Sequence, residues 1–285
     1  IGKVNDFITS PEISQLFGEI IGLYIIDYWK NYINKDFNIV ELGPGQGTMM
    51  QDILRVSAKY SNYLVNLNLK LIEKNKILIK NQKKLLGKEI KNLKSIEWLD
   101  DINKFLNTNE RIFIANEFFD CFPVKQIYKY SNNYYESVVK YDLNKRHFFI
   151  DKIELKKNNS IINKVKNIFK KNKYKDGHIL EISEQSDQYI NKISEIVLKN
   201  NGLIILIDYG NFYSTGYSTL KSIKNHKNLN ILDNPGEQDI SYMIDFAYIS
   251  SLFYSKKLYV YGPFFQGDFF TALGINKRKD GILKN

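Results

Sequence analysis

Asn38-Ile-Val-Glu-Leu-Gly-Pro-Gly-Gln-Gly-Thr48 decides the fold. A short apolar run ends at Leu42, and Gly43, Gly45 and Gly47 then occupy every second position. The run is too short for a helix and reads as a buried strand entering a glycine loop, with a helix starting at Thr48. A dinucleotide loop would read G-x-G-x-x-G, and a P-loop would end in Gly-Lys-Ser/Thr. Neither pattern is present. Glycine lets backbone come close to a ligand without a side-chain collision. Glu41, just before the loop, suits a ligand with a cationic amino group. Together these features predict an S-adenosylmethionine (SAM) site built from Glu41, Gly43, Pro44, Gly45, Gly47 and Thr48.

On either side of this stretch, strands and helices alternate. Ile13–Trp29 has helical spacing of apolar residues, with Ser10-Pro11-Glu12 as the start signal. Leu67–Glu73, Ser95–Leu99, Arg111–Asn116 and Leu203–Tyr209 read as further buried strands, and Thr48–Ala58, Asn75–Leu86 and Gln185–Lys199 as helices. Alternation of this kind predicts an α/β fold, a Rossmann-like parallel sheet with helices on both faces. The pattern breaks at Val124–Tyr130, Tyr134–Tyr141 and Arg146–Leu155, which alternate in the β manner around the Ser131-Asn-Asn133 turn. Lys156–Lys173 reads as an amphipathic helix or a mobile segment. The expected division is a core of residues 1–122 and 200–285 with an inserted antiparallel β and helical substrate region at 123–199. Gly210–Leu232 reads as a long polar loop. Ile240–Ile244 and Lys257–Tyr261 read as the last strands, flanking a helix over Phe246–Tyr254.

Composition narrows the classes. The chain has 285 residues and a net charge of +10, and only four basic residues are Arg. Arg is the residue favoured for bidentate phosphate and base contacts. A Lys excess beside abundant Asn and Ile suits an AT-rich genome as well as it suits a nucleic-acid partner, so nucleic acid is not expected as a partner. No apolar run is long enough for a membrane span. The single cysteine, Cys121, excludes an intrachain disulfide and is expected to pack rather than react. With three histidines and no Cys/His cluster, no metal site is expected, and His226 reads as a surface residue. The chain starts without methionine and reads as a fragment, so a targeting segment would be invisible. The expected location is the cytoplasm if the source is bacterial and the mitochondrial matrix if it is eukaryotic.

In a parallel sheet, ligands sit beyond the carboxyl ends of the strands, and every remaining candidate falls at such an end. Glu73 can accept hydrogen bonds from both ribose hydroxyls. Asp100, preferred over Asp101, can accept one from the adenine amino group. Asn116 can bond cofactor or substrate. Glu117 and Asp120 are two carboxylates within five residues and would suit a guanidinium held by bidentate hydrogen bonds. Phe118 and Phe119 wall the site or pack in the core, and Asp208-Tyr209-Gly210 lines the same cleft.

The chain resembles the MidA-type SAM-dependent methyltransferases, whose mitochondrial members assist assembly of respiratory complex I. The matching stretches are residues 6–19, Glu41–Thr48, Ala115–Val124, Ile207–Gly210, Pro235–Ser241 and Ile244–Phe246. The family glycine loop usually carries Arg where this chain has Gln46, which touches one local charge contact. The resemblance implies a class I methyltransferase fold and symmetric dimethylation of a protein arginine on a complex I core subunit. A second copy of the chain is a further expected partner. Rival expectations are a SAM-binding assembly chaperone without essential catalysis, a nucleic-acid methyltransferase and a small-molecule methyltransferase. Against the nucleic-acid reading, Glu117 and Phe118 stand where base-amino methylators carry two prolines.

Overall fold

The computed structural model of the chain describes residues 10–105, 109–156, 159–224 and 227–283. These fall into two compact units. The first comprises residues 1–118, 191–208 and 256–285, and the second comprises 119–190 and 209–255.

The first unit is built on a five-stranded, wholly parallel sheet. Its strands are β1 (Phe37–Leu42), β2 (Leu67–Ile72), β3 (Ser95–Leu99) and β4 (Glu110–Asn116), with one later strand, Gly202–Ile207. The spatial order is β3-β2-β1-β4 followed by Gly202–Ile207. The chain therefore winds outward from β1 in one direction, then returns to β1's other side and winds the opposite way. The reversal lies between β1 and β4, where an open parallel sheet leaves its ligand crevice. All six residues of β1 are buried, which explains its near-continuous apolar character. The helix Gln15–Tyr28 packs closely on the helix Thr48–Ser57. A side chain at Gly22 would stand 2.8 Å from Val56 Cγ1, and one at Gly18 would stand 2.6 Å from Asp52 Cβ, so this approach needs glycine. Ile20, Ile21, Ile25, Met50, Ile53, Leu69 and Ile112 meet there in one apolar cluster.

The long helix begins later than its periodicity suggests. Ser10–Ile13 forms a separate helical turn, and Ser14 adopts extended backbone and caps the next helix by accepting from the Leu16 amide at 3.2 Å.

The second unit carries β5 (Lys125–Tyr130), β6 (Asn133–Asp142), β7 (His147–Glu154) and β8 (Ile179–Ile182), antiparallel in the order β7-β6-β5-β8. Helix Ile162–Asn172 covers it through Val165 and Phe169, which pack with Ile127, Leu180 and Ile182. Within the stretch expected as an insertion, an antiparallel sheet and a helix form, β8 included, while its residues 191–199 group with the first unit.

Residues 209–255, expected to belong to the core, group with the second unit. The expected loop over Gly210–Leu232 contains short strands at Gly210–Asn211, Lys221–Lys224 and Lys227–Leu229. Ile240–Ile244 divides into Asp239–Ser241, antiparallel to Lys221–Lys224, and Ile244–Asp245, parallel to Gly210–Asn211. Neither joins the central sheet. Lys257–Tyr261 is not a strand: Lys257 has φ 62°, and the Tyr259 and Tyr261 side chains are almost wholly exposed.

Candidate cofactor site at the strand tips

The register of the parallel sheet continues one residue past several strand ends. The Gly43 amide donates to the Ile72 carbonyl at 3.0 Å, the Glu73 amide to Leu99 at 2.8 Å, and the Glu117 amide to Ile207 at 2.8 Å. Three expected site residues are therefore held by the sheet itself. The loop after β1 closes on a Gly47 amide to Pro44 carbonyl bond of 2.8 Å. Gly43, Gly45 and Gly47 all have positive φ, a backbone that side chains rarely adopt. A side chain at Gly43 would strike the Phe118 ring at 2.7 Å, so Phe118 packs on the loop. At Gly45 a side chain would meet nothing within 4 Å. The loop backbone there faces open space.

Glu41 is fully buried and its Oε2 has no hydrogen-bond partner. Burial alone pushes its carboxyl up to about 8. Asn116, on the neighbouring strand, also has a buried side-chain oxygen, Oδ1, without a partner. β1 and β4 pair Leu42 with Ala115, so Asn116 and Gly43 follow at the same level. Unsatisfied buried acceptors are rare in native folds. Two of them at adjacent strand tips, beside an open glycine loop, fit a ligand that brings hydrogen-bond donors, one of them cationic.

Glu73 lies beyond β2, half-buried. Its Oε1 accepts from the Asn75 amide at 2.8 Å. Asp100 is exposed and ion-paired with Lys104 at 2.7 Å, and the hydrogen bond from Lys104 holds its carboxyl below the usual range. Asp101 accepts from the Asn103 amide at 2.7 Å and starts a short turn.

Glu117 has φ 48°, a sparsely populated conformation for a side-chain-bearing residue, at the tip of β4. Its Oε1 accepts from the Ser10 amide at 3.3 Å. Sequence reasoning missed this contact between the motif around residue 10 and the β4 tip; the clue was that both stretches carry the family resemblance. It also missed Gln82, a fully buried amide in a Lys-rich helix. Phe119 is buried and belongs to the second unit. Asp120 belongs there too, where burial and then the negative charge of Asp239 push its carboxyl up to about 6. Cys121 is exposed rather than packed. His226 and residues 6–9 lie outside the described residues. Among the described residues, no group of three or more His, Cys, Asp or Glu stands where it could hold a metal ion, and no helix is long and apolar enough to cross a membrane.

A family model described as "Putative S-adenosyl-L-methionine-dependent methyltransferase" matches residues 20–264. The chain belongs to this methyltransferase family. Its donor is SAM, and the chemistry of the glycine loop, Glu41 and Asn116 fits that donor. Among curated proteins, the chain is 29% identical over 315 residues to the Caenorhabditis elegans "Protein arginine methyltransferase NDUFAF7 homolog, mitochondrial", covering 99% of this chain and 68% of that protein. It is 29% identical over 303 residues to the human "Protein arginine methyltransferase NDUFAF7, mitochondrial", covering 99% and 66%. Among solved structures, a COG1565 superfamily member from Burkholderia thailandensis bound to S-adenosyl-homocysteine superposes with a TM-score of 0.77. It is 20% identical and covers 95% of this chain and 68% of that one. This likeness shows the fold.

Proposed function

We propose that this chain methylates a guanidinium nitrogen of a protein arginine, giving symmetric dimethylarginine on a subunit of respiratory complex I, and that it works in the mitochondrial matrix. The observation that carries the donor half is the pair of orphaned buried acceptors, Glu41 Oε2 and Asn116 Oδ1, beside the open Gly45 loop. The acceptor half is supported by the arginine methyltransferase names of the relatives and by the acidic groups after β4.

Bound SAM supplies an already activated methyl group on a sulfonium. The protein's work is then positioning and electrostatics. Glu41 is assigned to the donor's amino group, Glu73 to the ribose hydroxyls and Asp100 to the adenine amino group. Gly43, Pro44, Gly45, Gly47 and Thr48 are assigned to the backbone cradle. Asn116 stands at the end of the strand where the reacting groups meet. Glu117 is assigned to the guanidinium: its strained backbone fixes where its carboxylate starts, and a carboxylate can orient two guanidinium N–H groups at once. Asp120 offers a second carboxylate within the second unit, reinforced by Asp239. A guanidinium in water is essentially always charged, so its proton leaves during or after attack, and no dedicated base is assigned.

The test is mass spectrometry of candidate acceptor proteins after incubation with SAM. Glu117→Gln is expected to abolish arginine methylation while S-adenosylhomocysteine still binds. Methylation at the normal rate in that variant excludes the role of Glu117.

A further inference from the structure

Gln82 sits in the helix Lys76–Leu85, whose surroundings in sequence are Lys80, Asn81, Lys83 and Lys84. Such a stretch normally faces solvent, yet Gln82 is completely buried. Both ends of its amide are engaged. Nε2 donates to the Gly45 carbonyl at 2.7 Å and lies 3.5 Å from Glu73 Oε2. Oε1 accepts from Trp98 Nε1 at 2.9 Å. Its Cγ lies 3.2 Å from where a side chain at Gly47 would stand. One side chain thus touches the loop after β1, the acid after β2 and a residue of β3.

From this geometry we infer that Gln82 is a positioning residue for the cofactor. It anchors the glycine loop by its middle carbonyl and aims the Glu73 carboxylate, so that the sites assigned to the amino-acid and ribose parts of the donor are set together. The inference rests on the cofactor reading above. A buried amide can do this because its donor and acceptor ends are distinct and the pocket satisfies each with a different partner. Trp98 accepts nothing and can only donate, which fixes Oε1 toward the indole and Nε2 toward the loop.

The test measures binding of S-adenosylhomocysteine by calorimetry to the full chain and to Gln82→Met and Gln82→Glu, with steady-state kinetics on an arginine-containing acceptor alongside. Met keeps the volume and removes every hydrogen bond. It is expected to raise the Kd for S-adenosylhomocysteine ten- to hundredfold and the KM for SAM in parallel, with kcat at saturating SAM within about threefold of the parent. Gln82→Glu keeps the acceptor for Trp98 but turns a carboxylate oxygen on the Gly45 carbonyl. Its affinity relative to that of the parent at the same pH is expected to recover as pH falls from 8 to 5, because protonation restores a donor. A purely structural role would lower thermal stability in both variants without this pH-dependent recovery. Unchanged affinity in Gln82→Met, or no recovery of Gln82→Glu relative to the parent at the same pH, overturns the inference. Should the parent chain itself fail to bind S-adenosylhomocysteine, the cofactor reading fails instead.

Discussion

Replacing Glu41 by Gln tests the physical core of the proposed donor site. The Glu41 carboxyl is buried without a partner for Oε2 and is pushed up to about 8 from 4.5. A folded-state value above the unfolded one means the folded chain holds the proton more tightly. The stability that this contributes is fully present below about pH 4.5 and is lost as pH rises toward 8. One unit is worth about 1.4 kcal/mol, so the loss between pH 5 and pH 8 comes to about 3 kcal/mol. Gln has the shape of the neutral acid and does not titrate. The unfolding free energy of Glu41→Gln should therefore gain on the parent by about 3 kcal/mol across that interval. Urea denaturation of ligand-free protein at several pH values measures it. Parallel stability curves for the two proteins would refute the reasoning, since they would mean that Glu41 is already hydrated or paired. Ligand binding should show the converse. A cationic amino group beside Glu41 favours the carboxylate, so S-adenosylhomocysteine should expel a proton below pH 8 and bind up to about tenfold more tightly per pH unit. Calorimetry in buffers of different ionisation enthalpy detects that proton. Glu41→Gln should release none and bind about 10- to 100-fold more weakly, the scale of a hydrogen bond to a charged group.

Gly45→Val should abolish S-adenosylhomocysteine binding by calorimetry at a stability cost of only about 1–2 kcal/mol, because its φ is +55° but no atom lies within 4 Å of the new Cβ. Asp120, pushed up to about 6 by burial and by Asp239, should lose its charge as pH falls through 6. The KM for an acceptor peptide should then rise below pH 6 in the parent, whereas Asp120→Asn should show a high KM throughout. Glu19 is almost fully buried and bonds Arg55 at 3.1 Å and Arg278 at 2.7 Å. Against the upward push of burial, those two arginines hold its carboxyl below the ordinary value. Both arginines are partly exposed, so Glu19→Gln should cost about 1–2 kcal/mol in urea denaturation at pH 7.

The parts of the fold legible in sequence are those where local pattern and burial coincide. β1, β2 and β4 are apolar because both their faces are covered, and the glycine loop announces itself because only glycine adopts its dihedrals freely. The missed parts depend on distant partners. Ser14 breaks the first helix inside an unbroken apolar stripe, and a cap within such a stripe leaves no periodic trace. Lys257–Tyr261 alternates like a strand but pairs with no strand among the described residues, and Lys257 takes a left-handed φ of 62°. Residues 209–255 left the expected core because their short strands find partners within the same region, Gly210 with Ile244 and Ser222 with Ile240. Among the proposed site residues, Glu41, Glu73 and Asn116 stand out in the sequence as polar residues at the ends of apolar strands. Gln82 was not, since nothing in a run of Lys and Asn marks the one side chain that faces inward.

The arrangement also explains why the ends of β1 and β4 can hold unsatisfied groups at all. An unpartnered buried acceptor costs about 1–3 kcal/mol, and the structure carries two at neighbouring positions. They sit directly above strands whose apolar residues, Ile39, Leu69, Ile112 and Ile114 among them, are fully buried in or against the core. The backbone bonds from Gly43, Glu73 and Glu117 extend the rigid sheet to the edge of the site, so the chain cannot relax to hydrate those atoms. A site placed on strand tips is held more rigidly than one placed on a free loop. The same rigidity keeps Glu41 and Asn116 in place before any ligand arrives. Donor groups arriving with SAM would relieve a strain already present rather than create a new shape. Ligand binding should accordingly raise thermal stability with little change in backbone exchange at β1 and β4. Large new protection in those strands on binding would contradict a preformed site.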